Sequence, residues 1–507
     1  MELLSVKNLS FKMTPIYKNI RSILLLFVIA VTIGAMVVYF PSYLKWLLAT
    51  LVLIGLIIFA FRFPFHSFLL FIITLPLEAA FVFEVGFTIH PSYILLIIII
   101  LGLFFSGRKL HFKSTLNIPT FVFLGISTLS LLMTIFSPPP EVTLAEVMKY
   151  RSSEIRSIIQ LLFLFFFVSA YFLTIHFCSE RKKLNTVLKT YIGIASLIAI
   201  YGIYQFFAVK FSLPFIDITS AISTSGVGRG VSYYAEPSLF RSHATFQEPL
   251  FFGNYILSVF PLLLILSFFK YKKNILTKNA LLIKSNLFLV FIFATALLLT
   301  KSRGAWLGFI GAILLLFFFS KIKFKIKLIG ITIFILIFIS ILIIPFVSYQ
   351  YSNLGEFISP RFSSEILSQE PRLLGLSFVL DLWKQYPILG VGLGNYGFYA
   401  AQHFHSPLIV SGAGRWLQAL VETGILGFAA FIWLIFTYYK ILIRALRKAR
   451  NTSWYPYFLG YLACFTAMIV QYFFSFDRFP LYFWVFLGIS IATVKLINKS
   501  EKNSLEL

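Results

Sequence analysis

Two basic side chains, Lys301 and Arg303, stand between two apolar runs in the segment 300–308. A charge at membrane depth is costly unless it is paired or reaches the interface, so such residues are functional candidates. By their position alone, both cations are therefore functional candidates. Anchoring at headgroup level beside Trp306 is the alternative, chiefly for Lys301.

A second group of polar residues lies in the segment 209–249, directly before another apolar run. Arg229 is followed by Arg241, His243 and Glu248. Either guanidinium can hold an anionic lipid headgroup or a leaving diphosphate. The alternative is that these are solvated loop charges with local ion pairs, and the residues by themselves leave both interpretations open.

Two histidines, His403 and His405, form the third candidate group. The ordinary pKa of histidine suits proton transfer near neutral pH, so either ring can act as a general base. A His-x-His pair also occurs in metal sites, but no further His or Asp is clustered with this one in the sequence. The sequence therefore predicts neither a metal site nor a cofactor.

Glu422 stands inside an apolar run, where an unpaired carboxylate would be expensive. We expect an arginine as its partner, and the candidates are Arg303, Arg372 and Arg415. Upstream, residues 392–397 form a G-x-G-x-x-G pattern. A dinucleotide site needs this pattern between a strand and a helix of a βαβ unit, and we reject that interpretation here. The glycines are instead expected to allow sharp turns and close backbone approach.

The composition places these residues in a membrane protein. Of the 507 residues, 59% are hydrophobic and 12% are charged, whereas soluble domains carry about 25% charged residues. The net charge of +25 would also suit a nucleic-acid-binding protein, but such a protein carries its basic residues on a soluble face. A soluble protein is therefore excluded, and we expect no nucleic-acid partner.

Apolar runs long enough to cross a bilayer as helices recur along the chain. They predict an all-α, polytopic integral membrane protein with about 14 transmembrane helices and a large helical extracytoplasmic loop. The predicted spans are 22–40, 46–61, 67–84, 92–106, 118–136, 157–177, 185–208, 250–269, 287–301, 304–319, 328–347, 416–438, 455–475 and 481–497.

The basic residues predict the orientation, because Lys and Arg are retained on the cytoplasmic side of a membrane. With the N-terminus inside, the surplus of positive charge lies on one side, in the segments 107–109, 179–183, 270–284, 321–327 and 444–450. Both termini are then cytoplasmic, and the long segments 209–249 and 348–415 face outward. Apolar residues from Arg372 to Trp383 recur at helical spacing, which predicts a helix that lies on the membrane surface or dips into the protein.

Several motifs, in this order, resemble those of the O-antigen ligase and O-antigen polymerase superfamily of bacterial polysaccharide assembly. The matching elements are Arg241 to Gly253, Ser302-Arg303-Gly304 with Leu307, Arg372 followed by Pro387 to Asn395, and Leu417 to Gly427. One feature departs from the family pattern. The His-Asn or His-Ser pair that usually precedes the last motif falls on Ala413 and Gly414 here.

The resemblance implies metal-independent glycosyl transfer at the outer face of the bacterial inner membrane. The donor would be a glycan on undecaprenyl diphosphate. The acceptor would be a sugar hydroxyl on a second lipid-linked unit or on a glycolipid core, as in exopolysaccharide or lipopolysaccharide assembly. Further expected partners are membrane lipids and other polysaccharide-assembly proteins, such as a chain-length regulator.

The resemblance also implies roles for single residues. Arg303 and Arg241 would bind the diphosphate. His405 or His403 would act as the base from a few residues upstream of its usual place, and Glu422 would orient an arginine or a histidine. Further substrate contacts are expected from Arg229, Arg372, Lys301 and Arg415.

The expected domain organisation follows from the spans and the motifs. It comprises an N-terminal bundle of about seven helices over 1–208, an extracytoplasmic loop over 209–249, a ligase- or polymerase-like catalytic region over 250–438 that includes the loop 348–415, and a C-terminal cytoplasmic loop with two helices over 439–507.

Two other functions stay open at this point. A transporter or flippase of lipid-linked glycans would need interrupted helices in two equivalent halves, and Pro76 with Glu78 is the feature of that kind in the sequence. A peptidoglycan polymerase of the shape and division family would rely on an aspartate in its large outer loop, where Asp381 is comparable. The residues do not separate a polymerase from a ligase.

Overall fold

The computed structural model describes residues 42–80, 83–84, 88–107, 113–140, 152–215, 218, 240–268, 281–319, 375–404, 414–474 and 479–505. The first group of helices comprises Ser42–Arg62 (α1), Pro64–Thr74 (α2), Pro91–Phe105 (α3), Asn117–Leu129 (α4), Leu131–Phe136 (α5), Ser153–Phe177 (α6) and Arg181–Lys210 (α7). The second comprises Pro249–Leu257 (α8), Phe260–Phe268 (α9), Leu281–Leu299 (α10), Arg303–Phe319 (α11), 375–385 (α12), Tyr396–Phe404 (α13), Gly414–Lys448 (α14), Tyr455–Gln471 (α15) and Leu481–Leu505 (α16).

The predicted all-α membrane class is confirmed. Over the described ranges, the strands are one antiparallel pair of two residues each, Phe83–Glu84 (β1) and Thr88–Ile89 (β2). Six helical segments of the described chain are long and apolar enough to cross a membrane: Asn117–Phe136, Ser153–Phe177, Arg181–Lys210, Pro249–Ser267, Gly414–Lys448 and Leu481–Lys499. The predicted spans 22–40 and 328–347 lie outside the described residues.

Two of the predicted spans are each built from two helices. Helices α4 and α5 meet at Ser130, and α8 and α9 are separated by Ser258 and Val259. In both cases the serine hydroxyl donates to a carbonyl three residues earlier, that of Ser127 at 2.8 Å and that of Tyr255 at 2.6 Å. Such bonds compete with the backbone ladder and bend helices, which a count of apolar residues does not reveal.

The predicted span 67–84 is wrong in its second half, because α2 ends at Thr74. The N–H of Leu77 donates to the carbonyl of Thr74 in a turn, and Pro76 has no N–H with which to continue a helix. By contrast, residues 375–385 are helical, as the apolar spacing in the second long loop predicted.

Small residues let helix α11 lie close to helix α15. Gly304, Gly308 and Ala312 are buried at intervals of four along α11, and small residues at this spacing allow helix backbones to approach closely in membranes. A Cβ added at Gly308 would lie 2.5 Å from the carbonyl oxygen of Ala467 on α15. This contact fixes the position of α11, the helix that begins at Arg303.

The chain forms two compact units. The first comprises Met1–Ser67 and Ile97–Gly107, and the second comprises Phe68–Leu96 and Arg108–Leu507. In the second unit, α14 packs against α4, and α16 packs against α6. All the candidate site residues that the structure describes belong to this unit.

Candidate functional site

Residues 300–303, here called the basic hairpin, form a tight turn between α10 and α11. Lys301 has a φ of +47°, and its N–H donates to the carbonyl of Leu298 at 3.0 Å. The carbonyl of Ser302 accepts from the N–H of Trp306 at 3.0 Å, so Arg303 begins α11. The indole N–H of Trp306 reaches back to the carbonyl of Leu297 at 3.1 Å and ties the two helices together.

Residues 240–248, here called the Arg241 loop, lie directly against this hairpin. The guanidinium of Arg241 donates from Nε to the carbonyl of Thr300 and from Nη2 to that of Lys301, each at 3.1 Å. The N–H of Ser242 donates to the carbonyl of Leu299 at 3.1 Å. Arg241 is therefore brought to the two cations of the hairpin, which the sequence places about sixty residues further on.

Lys301 is buried, although it carries a charge. The residue is only 9% exposed, and its ammonium lies 5.4 Å from the ring centroid of Phe206 on α7. A cation over an aromatic face is attracted by the ring quadrupole, and this helps to keep the charge in an apolar environment. Arg303, by comparison, is half-buried.

Sequence reasoning missed a side chain that holds the Arg241 loop. Gln205, on α7, is fully buried and hydrogen-bonds to the backbone of both His243 and Ala244. The available signal was a single amide among apolar and aromatic residues from Tyr201 to Phe207. Buried polar groups are costly unless they are hydrogen-bonded. Such a residue therefore predicts that a hydrogen-bond partner exists, but the sequence does not show which residue that partner is.

A second set of contacts organises residues 387–395, here called the glycine turn. Gly390, Gly392 and Gly394 all have positive φ, of +71°, +94° and +85°, which glycine adopts without steric cost. A Cβ at Gly390 would lie 2.3 Å from the carbonyl of Val421. The predicted role of these glycines, sharp turning with close backbone approach, is confirmed.

Asn395 closes the glycine turn in a fully buried position. Its side-chain amide donates to the hydroxyl of Thr134 at 2.8 Å and to the carbonyl of Val391 at 2.9 Å. Its carbonyl oxygen accepts from the hydroxyl of Ser157 at 3.0 Å. The turn is thereby pinned to α5 and α6.

The expectation that Glu422 pairs directly with an arginine was wrong for the described residues. Glu422 is 3% exposed, and its carboxylate accepts a 3.0 Å hydrogen bond from the amide of Gln418. The carbonyl of that amide accepts from Arg415 at 3.4 Å. Positions three and four apart share one helix face, so Gln418 connects the carboxylate to the guanidinium.

Glu422 also lies close to the glycine turn through Tyr396, the first residue of α13. Burial raises the pKa of Tyr396, and the carboxylate of Glu422 raises that pKa further. The hydroxyl of Tyr396 is buried and makes no hydrogen bond among the described residues. The charge of Glu422 therefore acts on Tyr396, at the start of the helix whose last turn carries His403.

His403 is exposed at the end of α13. Its ring stacks on Phe378 of α12, with ring centroids 4.6 Å apart and planes inclined by 24°. Three other predicted site residues, Arg229, Arg372 and His405, lie outside the described residues. The structure thus brings together Arg241, Lys301 and Arg303, and separately Glu422 and Arg415.

The basic hairpin lies in a part of the chain that matches a known protein family. Residues 288–432 match the family model described as O-antigen ligase. This region is similar to the O-antigen ligase family. No curated protein matches the chain.

The matched region runs from within α10 into α14 and contains Lys301, Arg303 and Glu422. Arg241 precedes it in the sequence and reaches it through the two hydrogen bonds to the basic hairpin. This similarity supports a function in membrane polysaccharide assembly and suggests glycosyl-transfer activity.

Proposed function

We propose that this protein is a glycosyltransferase that transfers or polymerises glycan units carried on undecaprenyl diphosphate, at the outer face of the bacterial inner membrane. One observation carries the proposal. The guanidinium of Arg241 is bonded to the backbone of the same turn from which Lys301 and Arg303 project. Three cations at one turn suit a diphosphate.

The place of Arg303 supports a substrate role. It is the first residue of α11, and a cation at a helix N-terminus opposes the macrodipole at a cost of about 0.3–1 kcal/mol. A helix N-terminus favours anions, because its backbone N–H groups point outward. Arg303 therefore weakens its own helix while it strengthens the attraction of this hairpin for an anion.

The chemistry follows from where charge develops. The oxygen of an acceptor hydroxyl attacks the anomeric carbon of the donor, and the bond from that carbon to the diphosphate oxygen breaks. Negative charge grows on the leaving diphosphate, where fixed guanidiniums stabilise it without a metal. In our proposal Arg241 and Arg303 carry this role, with Lys301 as an additional contact to the substrate.

The proton of the acceptor hydroxyl needs a base. We propose His405 or His403 for this step, because histidine is suited to proton transfer near neutral pH. Glu422 acts through Gln418 to orient Arg415. The second long loop would add Arg372 and the first would add Arg229 as further contacts to the substrate.

Polymerase activity is our preferred form of this function, and ligase activity is the alternative. Both would use the same donor and differ in the acceptor. The preference rests on Ala413 and Gly414, which occupy the positions of the usual ligase-like histidine pair. Purified protein with lipid-linked repeat units alone tests it, since lengthened chains require a polymerase, whereas a product that forms only with an added glycolipid core requires a ligase.

The substitution Arg303→Ala tests the proposed site. We expect transfer to fall by about 10²-fold or more, the loss typical of removing a group that stabilises transition-state charge. The control is Asp381→Asn on α12, an exposed aspartate that pairs with Lys384 at 2.9 Å and should not affect transfer. An inactive Asp381→Asn beside an active Arg303→Ala would contradict the proposal and favour a shape- and division-type polymerase.

A further inference from the structure

The side-chain amide of Gln205 makes its hydrogen bonds to two consecutive residues of the Arg241 loop, His243 and Ala244. Its carbonyl oxygen accepts from the N–H of His243 at 3.2 Å and from that of Ala244 at 2.9 Å. Its nitrogen lies 3.3 Å from Nε2 of His243 and donates to the carbonyl of Ala244 at 3.4 Å. An amide offers two acceptor sites and two donors, and all four are used here.

These contacts assign the tautomer of His243. The amide nitrogen of Gln205 is a donor, so Nε2 of His243 must be the acceptor, and the ring proton is assigned to Nδ1. That N–H then donates to the carbonyl of Phe246 at 2.9 Å. His243 thereby connects the amide of Gln205 to Phe246 in the same loop, and its Nε2 accepts a hydrogen bond from that amide.

The amide holds a strained backbone. Ala244 has a φ of +49°, in the left-handed region that residues with a Cβ adopt at a steric cost. Strained residues persist where their surroundings over-determine the conformation. Gln205 bonds both the N–H and the carbonyl of Ala244, so it is the side chain that enforces this conformation.

A second contact from α7 confines the same loop one helical turn earlier. The hydroxyl of Ser242 donates to the carbonyl of Gly202 at 2.7 Å, and a Cβ at Gly202 would lie 2.9 Å from that hydroxyl oxygen. On its other side the loop is bonded to the basic hairpin. Residues 242–244 are therefore fixed between α7 and the hairpin, and Arg241 directly precedes them.

We propose that Gln205 is a positioning residue, which sets the guanidinium of Arg241 for a diphosphate by clamping residues 243 and 244. This rests on the proposed function, in which Arg241 binds the donor. Gln205 lies outside the matched region 288–432, so the N-terminal helices would contribute directly to the geometry of the donor site. The ligand class is a polyprenyl diphosphate, whatever sugar it carries.

A double-mutant cycle on binding tests the clamp, with undecaprenyl diphosphate as the probe and the full-length protein in nanodiscs. Arg241→Ala should raise the Kd by between about tenfold and a hundredfold. Gln205→Ala should raise it about tenfold in the wild-type background and not at all in the Arg241→Ala background, because the amide acts through that arginine. An equal, additive effect in both backgrounds would overturn the proposal.

Two further variants keep the result interpretable. Gln205→Glu retains the two acceptor contacts but places an oxygen against the carbonyl of Ala244 and Nε2 of His243, which both accept hydrogen bonds, so its Kd should also be raised above that of the wild type. It replaces Gln205→Ala in the cycle if the latter does not fold. Ser196→Ala is the control on α7, because within the described part of the chain its hydroxyl bonds only the carbonyl of Ile192, and the Kd of this variant should be unchanged.

The two proposals fail in different ways. A wild-type Kd in Arg241→Ala would contradict the assignment of this arginine to the diphosphate, and with it both proposals. A raised Kd in Arg241→Ala together with a wild-type Kd in both Gln205 variants would leave the proposed function standing and would refute the clamp alone.

Discussion

The backbone N–H of Val391 donates a 2.8 Å hydrogen bond to the carbonyl of Val421 at the point where helix α14 breaks. Beyond the break, the N–H of Ile425 donates to the carbonyl of Pro387 at 2.9 Å. A helix interruption leaves backbone groups without their usual partners, and buried ones must be satisfied elsewhere. The glycine turn supplies these partners, and the break in turn holds the glycine turn beside Glu422.

This arrangement should be most sensitive to substitution at Gly424, where helix α14 breaks. Its φ of 65° and ψ of −170° belong to a region essentially restricted to glycine, and an added Cβ would lie 2.1 Å from the carbonyl oxygen of Ile388. Gly424→Ala should lower the free energy of unfolding by more than the strain alone, which is about 1–3 kcal/mol. The measurement is thermal unfolding in detergent.

The control for this prediction is Gly193→Ala in α7, where an added Cβ meets nothing within 4 Å. Alanine is the better helix former, by about 0.5–1 kcal/mol, so Gly193→Ala should leave the melting temperature unchanged or raise it. Equal melting temperatures for the two variants would contradict the prediction that the break of α14 at Gly424 contributes to stability.

Thr134→Val should destabilise the contact between the glycine turn and α5. The substitution keeps the shape and removes the hydroxyl to which Asn395 donates, so a fully buried amide N–H loses its partner at a cost of about 1–3 kcal/mol. Thr128→Val removes a hydroxyl that bonds a carbonyl of its own helix and should be nearly neutral. Indistinguishable melting temperatures would show that the Asn395 contact contributes nothing.

His403→Phe and His405→Ala identify the base. Phenylalanine preserves the stacking of residue 403 on Phe378 while it removes the ring nitrogens that would accept the proton. We expect one of the two variants to lower kcat by about 10²–10⁴-fold, the usual contribution of general base catalysis, and the other to keep its rate. Full activity in the double variant would remove both histidines from the mechanism.

Transfer should continue in the presence of EDTA. In the proposed mechanism the guanidiniums of Arg241 and Arg303 stabilise the leaving diphosphate, so no divalent ion is required for that charge. The measurement is chain transfer by purified protein with and without the chelator. Loss of transfer that added Mg²⁺ restores would contradict metal-independent chemistry.

Reporter fusions after residues 230 and 390 should both read as extracytoplasmic. The prediction follows from the basic segments, which the positive-inside rule assigns to the cytoplasm. A fusion after Lys182 serves as the cytoplasmic reference. A cytoplasmic signal at either of the first two positions would contradict the predicted topology. The basic hairpin would then no longer be assigned to the side of the membrane on which we place the donor.

The class of the protein could be predicted from the sequence, because hydrophobicity is a local and additive property. A composition of 59% hydrophobic residues requires apolar surroundings whatever the packing. Motifs such as Ser302-Arg303-Gly304 are equally local, so the family resemblance and the candidate arginines could be identified from the sequence. The helix breaks at Ser130 and Ser258 could not, since a window of apolar residues does not say where a hydroxyl competes with the backbone.

The partners of the polar residues were decided only by the tertiary structure. Arg241 meets Thr300 across 59 positions, and Asn395 meets Thr134 across 261. Glu422 binds Gln418 on its own helix, where an arginine was expected. A buried polar group must find a hydrogen bond, which the sequence predicts. Which group provides that bond depends on the helices that pack beside it, and these become neighbours only when the chain folds.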